Sequence, residues 1–175
     1  GRGGVGLDNI DVEYAKSKGI AVINTPAASS RSVAELVFAH ALSLSRFLNQ
    51  AHKDMPLCGH DQFSALKKNY AAGLEMTGKT MGIFGLGKIG QELASLALGF
   101  GMNVLAYDPF VGKVEILVGN PLLGIKHQII STDKETLLSN SDYISLHIPA
   151  LEKPILDAAA FSSMKDGVII INESR

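Results

Sequence analysis

Apolar residues fall in two kinds of stretch along the chain. Short stretches over residues 80–84, 102–107, 125–130, 142–147 and 167–171 read as strands, with 80–84 and 167–171 buried. Between them, apolar positions recur at helical spacing. Ile89, Leu93, Leu96, Ala97 and Phe100 follow the i, i+4, i+7, i+8, i+11 pattern of one helix face, and Gly101 marks the helix end. Thr132-Asp-Lys-Glu135 has capping-box spacing ahead of a short helix ending near Asn140, and another helix is predicted over 158–164. Strand and helix in regular alternation predict an α/β fold with a doubly wound parallel sheet. The segment 110–124, rich in Gly and aliphatic residues, yields no element.

The first 78 residues read differently. A glycine-rich loop over 1–11 leads to a short helix capped by Asp11 or Asn9 and running through Lys18, with Gly19 as its stop. A short strand at 20–23 then reaches Asn24-Thr25-Pro26. Two such elements cannot bury a core by themselves, so residues 1–28 are assigned to a remnant of a second α/β domain and a hinge, and 29–175 to the main domain. Ser32-Val-Ala-Glu35, another capping-box spacing, opens a long helix with Val33, Leu36, Val37, His40, Ala41, Leu44, Phe47 and Leu48 on one face. Ala34, Phe38, Ala39 and Leu42 make its other sides apolar as well, which predicts cover from a second domain or subunit, and so a homodimer. Residues 55–78 show no sustained period and read as a connecting excursion.

Composition narrows the functional classes. The 175 residues are 46% hydrophobic, ample for a core. Sixteen basic against seventeen acidic residues, with no basic block, point away from nucleic acid and anionic membranes. Cys58, the single cysteine, permits neither an intrachain disulfide nor a cysteine-cluster metal site, and no metal is expected. It suits a reducing cytoplasm. No apolar run approaches the ~20 residues of a membrane span, and no signal peptide opens the sequence, so a soluble protein is expected.

The chemistry centres on Gly85-Leu-Gly87-Lys-Ile-Gly90, between a predicted strand and a predicted helix. Gly85 allows a sharp turn, Gly87 has no Cβ to obstruct a pyrophosphate, and Gly90 lets the helix approach the strand. The N–H groups at the helix start then face an anion. Such a triplet of glycines is weak evidence alone, but a second strand follows and ends on Asp108, 18 residues beyond Gly90. A carboxylate there accepts from ribose hydroxyls and repels a 2′-phosphate; Pro109 and Phe110 follow it, with no arginine. These residues predict a Rossmann-type unit binding NAD rather than NADP; the plainer reading of Asp108 is a strand-end turn residue. Arg175, at the end of the last strand, either grips a substrate carboxylate or is a surface arginine, with equal weight on position alone. Among the histidines, His40 reads as a satisfied helix residue, and His52, His60 and His127 fall in polar or unplaced stretches. His147 ends a strand beside the crevice, where Pro149 next to it points to a backbone role in lining the pocket.

Seven ordered blocks together resemble the D-isomer-specific 2-hydroxyacid dehydrogenases, most closely the D-3-phosphoglycerate dehydrogenase branch. They are the 1–11 loop, Asn24-Thr-Pro26, Ser30-Arg-Ser-Val-Ala-Glu-Leu36, Gly85-Leu-Gly-Lys-Ile-Gly90, Tyr107-Asp-Pro109, Leu146-His-Ile-Pro149, and Met164-Lys-Asp-Gly running to Asn172-Glu-Ser-Arg175. The resemblance implies two similar α/β domains flanking a cleft, a substrate domain to which 1–28 belong, an NAD-binding domain incomplete at its C-terminal end, and a homodimer formed through that domain. It implies that Arg175 is the catalytic, substrate-binding arginine, that Lys88, Ile89 and Asp108 contact NAD, and that Val5, Ile148, Glu173 and Ser174 line the cofactor, with Pro149 beside them. The implied activity interconverts a D-2-hydroxy acid and a 2-oxo acid, specifically 3-phosphoglycerate and 3-phosphohydroxypyruvate in serine biosynthesis. Alternatives are another 2-hydroxy acid, or a nucleotide-sensing interaction protein like the C-terminal-binding corepressors. The family's catalytic histidine and its orienting glutamate come after the arginine, so residues 1–175 alone are expected to bind NAD without turnover. Glu173 departs from the small or uncharged residue general in the family, and the loop Leu151 to Ile155 lacks the threonine the family often has there.

Overall fold

Strand β1 (Thr80–Phe84) lies at the centre of the computed structural model, which describes residues 1–4, 6–120 and 122–174. It pairs in parallel with β2 (Asn103–Tyr107) on one side and, on the other, with the strand Tyr143–Leu146, which pairs in turn with Ile169–Asn172. Between β2 and that second pair the chain inserts two further strands, β3 (Lys113–Val118) and β4 (Ile125–Ile130), so the pair are β5 and β6 and the sheet order is β2-β1-β5-β6. Met81 sits level with Val104 and with Tyr143, and all of β5 is buried. Both faces of the sheet are covered, which is why the central strands are nearly continuous apolar runs.

Alternation along the strands divides the core. Met81, Ile83, Tyr143 and Ile171 pack on one side with α2 (Ser30–Ser45) and α4 (Lys88–Gly99). Phe84, Ile144 and Leu146 pack on the other with α5 (Lys134–Asn140) and α6 (Ala158–Ser163). The doubly wound parallel sheet expected from the sequence is therefore present. Gly101 ends α4 at φ +80 as expected.

Several expected elements take a different form. The run 125–130 is β4, but it does not extend the parallel sheet: it pairs antiparallel with β3 as a separate hairpin. Val114, Ile116 and Val118 alternate with Lys113, Glu115 and Leu117, and Ile116 and Ile129 close the hairpin onto the core beside α4. Just past β4, Ser131 forms an isolated parallel bridge with Ala106 of β2, and Thr132 N–H donates to the Ala106 carbonyl (2.7 Å). The excursion at 55–78 is largely helix: α3 spans Leu48–Tyr70, with Pro56 inside and a kink at Gln62. Leu66 is its one buried residue among those described, so there is no core-facing stripe for a periodicity reading to detect.

The long helix predicted from Ser32 through Leu48 starts earlier and stops earlier, because Phe47 adopts a left-handed conformation (φ 55) that separates α2 from α3. Its capping box does not form. Ser29 is the N-cap, Ser32 Oγ donates to the Ser29 carbonyl (2.9 Å), and Glu35 pairs with Arg31 (3.0 Å). Phe38 is covered within the chain, 5.6 Å from Phe100 between ring centroids, so α4 supplies part of the cover assigned to another subunit. At α5 the cap is Asp133 rather than Thr132, its carboxylate accepting from Thr136 N–H (2.7 Å). Near the start, α1 (Val12–Ser17) is capped by Asp11, which accepts from Tyr14 N–H (2.8 Å). Residues 20–23 form no strand; a lone parallel bridge between Arg2 and Asn24 is the pairing seen there. None of the described residues before Ser30 is buried.

Candidate functional site

The carboxyl ends of β1, β2, β5 and β6 open on one edge of the sheet, where ligands of doubly wound folds bind. At β1 the chain turns through Gly85 at φ +97, a conformation that L side chains rarely adopt. A Cβ there would also lie 2.5 Å from the His147 carbonyl oxygen. A Cβ on Gly90 would collide with the carbonyl oxygen of Gly85, so α4 can approach β1 this closely only with glycine at that position. Gly87 is the contrast: a Cβ there would meet nothing within 4 Å. It is the N-cap of α4 and provides no side-chain cap, leaving helix-start N–H groups directed at open space. Beside it Lys88 is exposed and Ile89 half-buried.

Asp108 ties this turn to β2. Its Oδ2 accepts from Leu86 N–H (2.8 Å), and Oδ1 accepts from Phe110 N–H (2.8 Å) and Val111 N–H (3.0 Å). Three of the roughly four lone-pair positions of the carboxylate are thus occupied, and the vacant one is on Oδ2, the oxygen nearest the glycine turn. Asp108 N–H in turn donates to Ser131 Oγ (2.9 Å), which anchors the strand end. Gln91 completes the turn by donating from Nε2 to the Leu86 carbonyl (2.8 Å). Neither Gln91 nor Ser131 was singled out by the sequence reading. Gln91 directly follows the glycine motif, but the role of Ser131 depends on the hairpin, which brings it to β2 from 23 residues away.

On the far side of β1, Ile148, Pro149, Asn172 and Ser174 line an open recess at the ends of β5 and β6. Ser174 N–H and Oγ both donate to Asn172 Oδ1 (3.0 and 2.6 Å), shaping the turn after β6. Glu173 points to the opposite side, with its Oε1 3.3 Å from His40 Nε2. Val5 and Arg175, both expected at the site, lie outside the described residues. His147 places its Nε2 2.8 Å from Ser145 Oγ, while its Nδ1 is shut off from solvent without a hydrogen-bond partner among the described residues. Burial pushes its pKa down to about 4. The imidazole is therefore neutral near pH 7, and its carbonyl rather than its ring abuts the glycine turn.

A tight glycine turn, an open helix start and an anchored carboxylate 22 residues from the turn it braces fit a dinucleotide: space for a diphosphate at Gly87 and an acceptor for a ribose hydroxyl at Asp108. Comparison with known proteins agrees. Residues 38–175 match the family model "D-isomer specific 2-hydroxyacid dehydrogenase, NAD binding domain". A hydroxypyruvate reductase of Thermotoga maritima is 43% identical over 99% of this chain and 52% of its own length, and a D-3-phosphoglycerate dehydrogenase of Archaeoglobus fulgidus is 38% identical over 100% and 31%. Among solved structures, the D-lactate dehydrogenase of Aquifex aeolicus, complexed with NAD and lactic acid, superposes with a TM-score of 0.68 at 35% identity, covering 97% of this chain and 47% of that one. The chain thus spans about half the length, or less, of these relatives. It belongs to the D-isomer specific 2-hydroxyacid dehydrogenase family and carries that family's NAD-binding domain.

Proposed function

We propose that the full-length protein is an NAD-dependent oxidoreductase that interconverts a D-2-hydroxy acid and a 2-oxo acid, with 3-phosphoglycerate as the hydroxy acid and serine synthesis as its setting. The observation that carries the cofactor half is the Asp108 carboxylate, held by three backbone N–H groups with one acceptor position left beside the glycine turn. Bound NAD supplies a hydride acceptor. The protein's own part is to hold it: the helix start at Gly87 meets the diphosphate, Asp108 accepts from ribose, and Ile148, Pro149 and Ser174 line the other wall. Arg175 is assigned to the substrate carboxylate, where its planar fork binds in bidentate fashion and polarises the adjacent carbonyl. Residues 1–28, with no buried side chain described, are assigned to the substrate domain and the hinge.

Support for the substrate comes from D-3-phosphoglycerate dehydrogenases at 38–40% identity over nearly the whole chain. The hydroxypyruvate reductase, at 43%, supports a second reading in which the substrate lacks the phosphate. Following NADH oxidation with 3-phosphohydroxypyruvate, hydroxypyruvate and pyruvate separates the two. The proposal expects kcat/KM to be highest for the phosphorylated acid, and a clear preference for hydroxypyruvate would replace it. Arg175→Lys should lower turnover much more than NADH binding, because a point charge cannot reproduce the guanidinium fork.

A homodimer is proposed through α2 and α3. Leu36 and Leu44 on α2 remain 44% and 55% exposed, and α3 buries almost nothing within the chain.

A further inference from the structure

Glu173 presents a problem for an NAD site. It lies between Asn172 and Ser174, which line the recess shared with Ile148 and Pro149, and a carboxylate entering that space would repel the cofactor diphosphate. Its side chain instead faces an open recess of about 880 Å³ between β6 and the α2–α3 corner, whose titratable lining residues, among those described, are His40, His52 and Glu173. There Oε1 lies 3.3 Å from His40 Nε2, with the glutamate side chain about three-quarters covered. The Asn172–Ser174 turn places Ser174 at the recess of Ile148 and Pro149, while the Glu173 side chain lines the recess beside α2.

We propose that His40 is a positioning residue, which retains the Glu173 carboxylate on the α2 side of β6 and thereby keeps the cofactor crevice free of negative charge. The inference rests on the NAD site proposed above. His40 touches neither cofactor nor substrate; it acts through Glu173. Removing the imidazole frees a carboxylate whose backbone is one residue from the cofactor wall.

The test is a double-mutant cycle on the full-length protein, with NADH affinity read from the fluorescence of the bound nicotinamide. His40→Leu should weaken NADH binding by roughly three- to thirtyfold at low salt, the range expected for one added charge near a diphosphate. The loss should shrink as salt is raised, since screening acts on charge repulsion and not on a packing defect. Glu173→Gln alone should bind NADH at least as tightly as the unaltered protein, and His40→Leu with Glu173→Gln should recover that affinity. If the leucine variant does not fold, His40→Ala takes its place in the cycle, as the ring is half exposed. An unchanged affinity in the single histidine variant, or a double variant as weak as it, overturns the proposal. Failure of the unaltered protein to bind NADH would instead remove the NAD site itself, an outcome distinct from both.

Discussion

At the scale of single residues, the glycine motif separates folding from binding. A Cβ on Gly90 meets a backbone oxygen that cannot move aside, whereas one on Gly87 meets open space. Gly90→Ala is expected to cost about 1–3 kcal/mol of stability or more, as overpacking does, together with NADH affinity. Gly87→Ala should change stability by less than about 0.5 kcal/mol yet still weaken NADH binding, because the methyl enters the space assigned to the diphosphate. Urea denaturation and NADH titration of both variants check this; equal destabilisation would contradict the geometry. His147 carries a second expectation. Its pKa is pushed from 6.5 to about 4 by burial, so below pH 6.5 the unfolded chain takes up a proton that the folded chain refuses. Stability should therefore fall as pH drops from 6.5 to 4, by about 3 kcal/mol in total from this residue. His147→Gln, which keeps a partner for Ser145, should flatten that part of the pH profile of the urea midpoint.

At the scale of elements, what holds a helix is visible in its burial pattern and what places it is not. α2 buries Ala34, Val37, Phe38, Ala41 and Ser45 against α4 and the sheet, and its far end is joined to β5 by a buried hydrogen bond between Ser45 Oγ and Tyr143 Oη at 2.7 Å. Ser45 also donates to the Ala41 carbonyl, so the tyrosine hydroxyl is the donor between the two side chains. Tyr143→Phe should cost about 1 kcal/mol by leaving Ser45 with an unused acceptor, and combination with Ser45→Ala should cost less than the sum of the two. Additive losses in thermal unfolding would mean that the pair is not coupled. The caps follow the same lesson. Asp11 caps α1 as expected, whereas α5 is capped by Asp133 in place of Thr132, and Ser32 lies one turn inside α2, whose N-cap is Ser29.

At the scale of the whole molecule, cofactor choice and association are the expectations to test. The unaltered protein should bind NADH well and NADPH poorly, since a 2′-phosphate would meet the anchored Asp108 carboxylate. Asp108→Gly should narrow the difference and also loosen the turn at Leu86. Equal affinity for both cofactors in the unaltered protein would remove the role given to this residue. Sedimentation of the full-length protein should show a dimer at micromolar concentration, and Leu44→Glu should shift it towards monomer, because a charge cannot be buried unpaired at an interface. Phe38 is covered within the chain at the end of α4, which leaves the Leu36 and Leu44 side of the same helix for the partner.

The sheet, the glycine turn and Asp108 were legible from residue order alone, because each depends on neighbours close in sequence: apolar runs for buried strands, three glycines for one turn, a carboxylate at a strand end. The remainder needed tertiary contacts. Pairing β3 with β4 instead of adding β4 to the sheet depends on Ile116 and Ile129 reaching the core beside α4, and α3 is a helix without a stripe because almost none of it meets the core. The direction of Glu173 is the clearest case. Residue order alone places a carboxylate beside the proposed diphosphate site, and only the packing of β6 against α2 puts it on the His40 side, 3.3 Å from Nε2. Local chemistry thus determined which residues are suited to hold a dinucleotide, while contacts between residues distant in sequence decided which way their side chains face.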